Sequence, residues 1–309
     1  MLRSVLRTRR HEARAGVAPA PMAELWRRAE EAAAALPPYA VYADRRLRAA
    51  VRGVHARRRA GPGDAFWQFR PYEPGEAAGR IDWRRSARSD ALYVRQQEWE
   101  TAQNVWLWVD GSPSMHFRSN AAGASKSDRA VVLALAVAKL LIGAGERVGL
   151  YGMDERPAGG QFGLSRLREG LSRMRLEDSG SIPAPHAIPR FSRLLLLGDF
   201  LGEEEPTRAA LDRLVPLGVD GHMLQILDPV EEDFPFRGRI TFEGLESDDS
   251  VLINRSDGLG AVYRRHLKAW IETLRNVSGR VGWTHSLHRT DHSATAALNA
   301  LVSLTGRLT

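Results

Sequence analysis

Asp110, Ser112 and Ser114 set three oxygen-bearing side chains at alternate positions in "NVWLWVDGSPSM", Asn104 to Met115. The hydrophobic run before them belongs in a core, and it stops at the aspartate. Asp, Gly, Ser and Pro are common turn residues, so one reading is a plain turn. The other is a cation site. A carboxylate and two hydroxyls supply the hard oxygens that magnesium or manganese prefers, and a turn that folds back can aim alternate residues at one ion. Asp199, in "RLLLLGDF", ends another apolar run and can add a carboxylate directly or through water.

Several other chemistries lack their residues. Neither G-x-G-x-x-G nor G-x-x-x-x-G-K-[ST] follows the first strand, so a phosphate-cradling loop is excluded there. The stretch also lacks the G-x-S-x-G of a serine-hydrolase elbow. A phosphoryl-transfer aspartate calls for a second carboxylate two residues on, where Ser112 stands. Cysteine is absent, which removes thiolate metal sites and disulfides and suits a reducing compartment. In "THSLHRTDH", His285 and His288 point to opposite faces of a strand, so a zinc site with His292 needs an unusual bend.

The elements that must position these residues alternate. "VWLWVD", "ERVGLYGM", "RLLLLGDF" and "VDGHMLQIL" read as buried strands. Helices are expected near 125–142, in "GLSRLREGLSRMRL", in "PTRAALDRLVPLG" and over 258–277. "RITFEG" and "SVLIN" suit an antiparallel hairpin, and "GWTHSLHRT" followed by "SATAALNALVSL" closes the chain with a strand and a helix. Such βα alternation with all-apolar strands predicts an α/β fold: a mostly parallel sheet with helices on both faces. In that fold, function gathers at the carboxyl ends of strands, where Asp110, Asp154 and Asp199 fall.

The rest of the chain divides into a basic tail over 1–20, a helix and β-rich extension over 21–100, and the α/β domain over 101–309. The net charge of +7 is concentrated at the start, since residues 1–60 hold 14 arginines against 5 acids. The arginine run in "HARRR", residues 55–59, suits an edge strand whose charges block unwanted pairing. With no aromatic platform beside it, nucleic-acid binding there is the minority reading. No apolar stretch after the N-terminal charges resembles a secretory signal, and the longest apolar run, "AVVLALAVAKLLIGAG", is shorter than a membrane span and carries Lys139. A soluble, cytoplasmic protein without a transmembrane segment is expected.

D-x-S-x-S after the first strand of such a sheet resembles the metal-ion-dependent adhesion site of von Willebrand factor A domains. The preceding "FRPYEPGEAAGRIDWRRSARSDALYVRQQEWE" is similar to the signature of the bacterial "domain of unknown function 58" family. The matches are Arg70, Tyr72, Pro74, Gly75, Arg80, Ile81, Asp82, Trp83, Ser86, Ala87 and Arg88. Glu76 stands where that family more often has Asp, and Gly198 replaces the serine of the family's S-D-F at Asp199. The resemblance covers about residues 45–230. Adhesion sites of this type add a threonine from a later loop. The corresponding segments here have none, and Ser165, Ser179 and Ser181 are the candidate substitutes.

The resemblance implies a von Willebrand factor A-like, non-enzymatic protein-interaction module. Its magnesium or manganese ion would be held by Asp110, Ser112, Ser114 and Asp199. It also implies a MoxR-type AAA+ ATPase, or that enzyme's client, as partner. A dication held by Asp110 and two neutral hydroxyls keeps about one net positive charge, which favours an Asp or Glu of a partner protein. Two alternatives stand beside it: a metal-assisted phosphohydrolase using Asp110, and nucleic-acid or anionic-surface binding through the basic N-terminus. The segment "RIDWRRSAR" reads as structural, with Asp82 paired to an arginine and Trp83 packed between subdomains.

Overall fold

In the computed structural model, the described residues are 19–36, 60–72, 81–88, 91–98, 102–175, 180–236, 238, 240–243, 250–253 and 258–307. The chain forms two compact units, one of residues 47–102 and one of residues 1–46 with 103–309. The expected basic tail falls almost wholly outside the described residues, as does the arginine run at 55–59.

Helix α1, Met22–Ala34, opens the larger unit. Leu25, Ala29, Ala32 and Ala33 recur at helical spacing and are all buried. Its partners lie in the α/β core, where Leu25 joins one apolar cluster with the sheet. The helix therefore belongs with the α/β unit, whereas the sequence grouped it with the β-rich extension over 21–100.

The smaller unit is an antiparallel pair, β1 (Ala60–Pro71) and β2 (Tyr93–Glu98), with a short helix α2 (Trp83–Ser86) between them. Asp82 caps α2, accepting the Arg85 backbone N–H at 2.9 Å. The Ser86 hydroxyl donates to the Asp82 carbonyl at 2.8 Å and accepts the Tyr93 N–H at 2.9 Å. Among the described residues, Asp82 thus works as a helix cap and not through the arginine pairing expected for it. Trp83 is 62% exposed.

The larger unit carries a five-stranded sheet of β3 (Asn104–Val109), β4 (Arg147–Leu150), β5 (Arg193–Gly198), β6 (Asp220–Leu227) and, late in the chain, β9 (Thr284–Arg289). Their order is β4-β3-β5-β6-β9, and every neighbouring pair is parallel. Between them run α3 (Lys126–Gly143), α4 (Gly160–Met174), α5 (Glu204–Asp212), the short α6 (Pro229–Asp233), α7 (Leu259–Arg280) and the closing α8 (Ala294–Arg307). The expected hairpin forms from β7 (Ile240–Glu243) and β8 (Ser250–Ile253). The second strand is shorter than its apolar pattern, because Gly152 at φ 88° turns the chain after Tyr151.

Alternation along β3 divides the core. Val105, Leu107 and Val109 join α1, α3, α4 and α8 on one face, while Trp106 and Trp108 join α5 and α7 on the other. Helices thus cover both faces, as all-apolar parallel strands require. The first strand in sequence, β3, lies between the second and the third, so the direction of winding reverses between β3 and β5. Crevices at the carboxyl ends of strands beside such a reversal are where open α/β sheets bind ligands. Those two ends carry Asp110 and Asp199. Among the described residues, no helix is long and apolar enough to cross a membrane.

Candidate functional site

Asp110 continues the β3 ladder, its N–H donating to the Leu197 carbonyl at 2.8 Å. Beyond it the chain turns through a 3-10 turn at Pro113–His116. The turn is closed locally, because the Ser112 N–H donates to Asp110 Oδ1 at 2.8 Å. The hydroxyls of Ser112 and Ser114 lie 3.0 Å apart, and Ser114 Oγ donates to Asp199 Oδ2 at 2.7 Å. The structure thus brings together the four residues singled out in the sequence.

Asp199 is held from several sides. Its Oδ1 accepts the Leu201 N–H at 3.2 Å, and its carbonyl accepts Gln225 Nε2 at 2.9 Å. The next residue, Phe200, has φ 49°, a left-handed conformation that a bulky side chain adopts only under constraint. Trp270 of α7 fixes it by donating its indole N–H to the Phe200 carbonyl at 2.7 Å. Gly198 is needed for close approach: a Cβ there would lie 2.8 Å from Asp110 Cβ and 2.9 Å from Asp110 Oδ2.

The sequence reading missed the cation already present. Lys126, the first residue of α3, is fully buried and aims its ammonium at the cluster. Its Nζ donates to Asp199 Oδ2 at 2.8 Å and to Glu231 Oε1 at 2.5 Å. Glu231 also accepts the Asp228 N–H at 2.8 Å, closing a capping box on α6. Asp228 accepts the Ser119 N–H at 2.8 Å, tying the β3–α3 loop to the end of β6. A signal existed: only three lysines occur in an arginine-rich chain, and Lys126 opens the helix that follows D-x-S-x-S.

Burial sets the electrostatics. Asp110 is pushed up to about 8, first by burial and then by the charge of Asp199, against the pull of Ser112 and Lys126. Burial likewise raises Glu231 to about 7 despite its bond to Lys126. For Asp199 burial also opposes ionisation, but Lys126, Ser114 and the Leu201 N–H outweigh it and hold the carboxyl below its ordinary value. Burial alone would lower Lys126, yet the charges of Asp199 and Glu231 raise it, so the ammonium stays protonated. Asp199 and Lys126 are therefore the firm ion pair. Fully ionised, the three carboxylates against one ammonium leave two surplus negative charges.

One carboxylate oxygen is not satisfied. Asp110 Oδ2 is buried and has no hydrogen-bond partner. Such an oxygen calls for a proton or a cation, because leaving it unpaired costs about 1–3 kcal/mol or more. Asp110 Oδ2 and the two serine hydroxyls are donors suited to magnesium, which takes one or two carboxylates and keeps waters. The donor set thus fits a hard dication, with Asp199 already engaged by Lys126. Among the described residues, no group of three or more His, Cys, Asp or Glu side chains is arranged to hold a metal, so any ion here draws on the hydroxyls.

Access to the cluster is closed. Asp110, Ser112, Ser114 and Asp199 are each 1–3% exposed, so they do not form an open face. A small cavity of about 10 Å³, room for about one water, borders Asp110 and is lined also by Gly111, His116, Ser127 and Arg175. The threonine position has no clear replacement. Ser165 is exposed on α4, Ser181 is half-buried, and Ser179 lies outside the described residues.

Other sequence candidates settle into structural roles. Asp154 accepts the Leu150 N–H at 2.7 Å and Arg166 at 2.6 Å, a turn device away from Lys126. His285 and His288 sit three apart on β9, in register with Met223 and Ile226, and face opposite sides of the sheet. Burial, then the cations nearby, pushes them down to about 4 and about 3. They do not converge.

Comparison with known proteins adds the family. Uncharacterized proteins of Mycobacterium tuberculosis and Mycobacterium bovis are each 30% identical over 233 residues, covering 70% of this chain and 71% of theirs. Two solved structures are also similar. An aerotolerance-related membrane protein of Bacteroides fragilis is 14% identical, at TM-score 0.37 over 65% of this chain and 99% of that one. The conserved hypothetical protein BatB of Bacteroides thetaiotaomicron is 13% identical, at TM-score 0.38 over 67% and 98%. The model of the family described as "Protein of unknown function DUF58" matches residues 68–270, and the chain belongs to that family.

Proposed function

We propose that this protein is a non-enzymatic protein-recognition module of von Willebrand factor A type, controlled by a divalent cation at Asp110, Ser112 and Ser114. The observation that carries the reading is the buried, unpartnered Asp110 Oδ2 beside two serine hydroxyls, at the sheet's reversal point. With Asp110 and Glu231 ionised, the surplus of two negative charges matches the charge of magnesium or manganese. Asp110 would ligate directly, Ser112 and Ser114 through their hydroxyls, and Asp199 would orient Ser114 while paired with Lys126. When bound, the dication supplies a positive centre that favours a partner's Asp or Glu. Because the four residues are buried, the partner has to displace the 111–117 turn to reach the ion.

The partner that the family resemblance implies is a MoxR-type AAA+ ATPase or a client of one, with this chain as adaptor. The phosphohydrolase alternative has less support, because Asp110 is enclosed and Ser112 stands where the second carboxylate would be. The test is retention of partners from the native host on immobilised protein, in magnesium and in EDTA, with Asp110→Ala alongside. Partners retained only in magnesium, and lost with Asp110→Ala, are expected. Equal retention in EDTA would contradict the mechanism.

A further inference from the structure

Lys126 is an unusual tenant for a dication site. Its side chain is fully enclosed, so its charge has no solvent to screen it. Its Nζ bonds the same Asp199 oxygen that accepts Ser114, one of the proposed metal ligands, at 2.8 and 2.7 Å. It also spans to Glu231, which the capping box on α6 fixes in place. Its backbone is as fixed as its head group: the Lys126 N–H donates to the Phe117 carbonyl, and Ser125 caps the helix it opens. Of the three carboxylates in the cluster, Asp110, Asp199 and Glu231, two already have this ammonium as counter-ion, and only Asp110 keeps an oxygen without a partner.

Two cations in one enclosed cluster repel, and both draw on the same carboxylates. We propose that Lys126 is the residue that sets the affinity of this site for divalent cations, by occupying Asp199 and Glu231 with a permanent single charge. The inference rests on the metal reading of Asp110, Ser112 and Ser114. With Lys126 present, an incoming ion has Asp110 as its one free carboxylate and meets a fixed positive charge beside it. Affinity is thereby held low, so that the site fills and empties as conditions change. Without the ammonium, Asp199 and Glu231 lose their counter-ion and turn to the dication. The site would then bind more tightly and neutralise the cluster through the metal alone.

The test is calorimetric titration of manganese into the full-length chain, wild type against Lys126→Met, with circular dichroism to establish folding. The expected result is affinity at least about tenfold tighter in Lys126→Met, in line with removing a unit charge a few ångströms away in a low-dielectric site. Binding by Lys126→Met with none by the wild type would uphold the role of Lys126 and remove the native metal site. Equal or weaker binding by Lys126→Met beside a binding wild type would overturn the role of Lys126 and leave the metal reading standing. No binding by either folded protein would overturn both. Removing one partner of a buried ion pair is strongly destabilising, so Lys126→Met can arrive unfolded. Lys126→Gln, which keeps a hydrogen-bond donor, then serves as the second variant. If both are unfolded in EDTA, millimolar manganese is expected to restore folding, and failure to restore it would overturn the proposal.

Discussion

Asp199 Oδ2 accepts two hydrogen bonds, one from the Ser114 hydroxyl at 2.7 Å and one from the Lys126 ammonium at 2.8 Å. This shared oxygen joins the D-x-S-x-S turn after β3 to the helix α3 that follows it and to the end of β5. It also explains why Asp110 and Asp199, at neighbouring strand ends, behave differently. Burial raises both carboxyls, but the Lys126 counter-ion, with Ser114 and the Leu201 N–H, outweighs it at Asp199, while Asp110 stays raised.

The stability of the metal-free protein should fall as pH rises on account of Asp110. A carboxyl raised from 3.8 to about 8 contributes stability that is complete below 3.8 and lost as pH rises towards 8. Asp110→Asn keeps the shape and removes the titration. In EDTA the variant should match the wild type near pH 4 and melt more than about 4 °C higher at pH 8.5. Thermal melts over that range check this, and a variant less stable than the wild type at pH 8.5 would count against an uncompensated Asp110.

Gly198→Ser should be costly although serine is a modest residue. A Cβ at this position would stand 2.8 Å from Asp110 Cβ, inside any normal contact, with no flexible chain end to move aside. Overpacking of this kind costs about 1–3 kcal/mol. Denaturant titration should show that loss, and unchanged stability would mean that Asp110 is not seated on Gly198.

Trp270→Phe should loosen the Asp199 loop without touching a carboxylate. It deletes the donor to the Phe200 carbonyl that steadies a left-handed residue. The expected cost is about 1 kcal/mol, with faster amide exchange over residues 199–201. Exchange unchanged in that loop would show that Gln225 and the Leu201 N–H suffice.

The sequence made the scaffold legible because its signals are local. Apolar runs at "VWLWV", "RLLLL" and "HMLQIL" each became a strand of the parallel sheet, and Asp110, Ser112, Ser114 and Asp199 met at its carboxyl edge. The role of Lys126 was not legible. Its partners Asp199 and Glu231 lie 73 and 105 residues away in the chain, and no local rule links a helix-opening lysine to them. The cap at Asp82 was missed for a different reason: Asp before Trp-Arg-Arg suits an ion pair as well as an N-cap, and only the backbone chooses. Closure of the site was hidden too, since a turn residue such as Ser112 is usually exposed and here is 2% exposed.

The most direct measurement is a manganese titration of the wild type and Asp110→Ala at pH 8, near the raised value of the Asp110 carboxyl. The account predicts saturable binding at one site, with protons released as the carboxyl gives up its hydrogen. Asp110→Ala should stay folded by circular dichroism and show no binding. Equal affinity in the two proteins would contradict the account, because Asp110 Oδ2 is the one carboxylate oxygen of the cluster left for the ion.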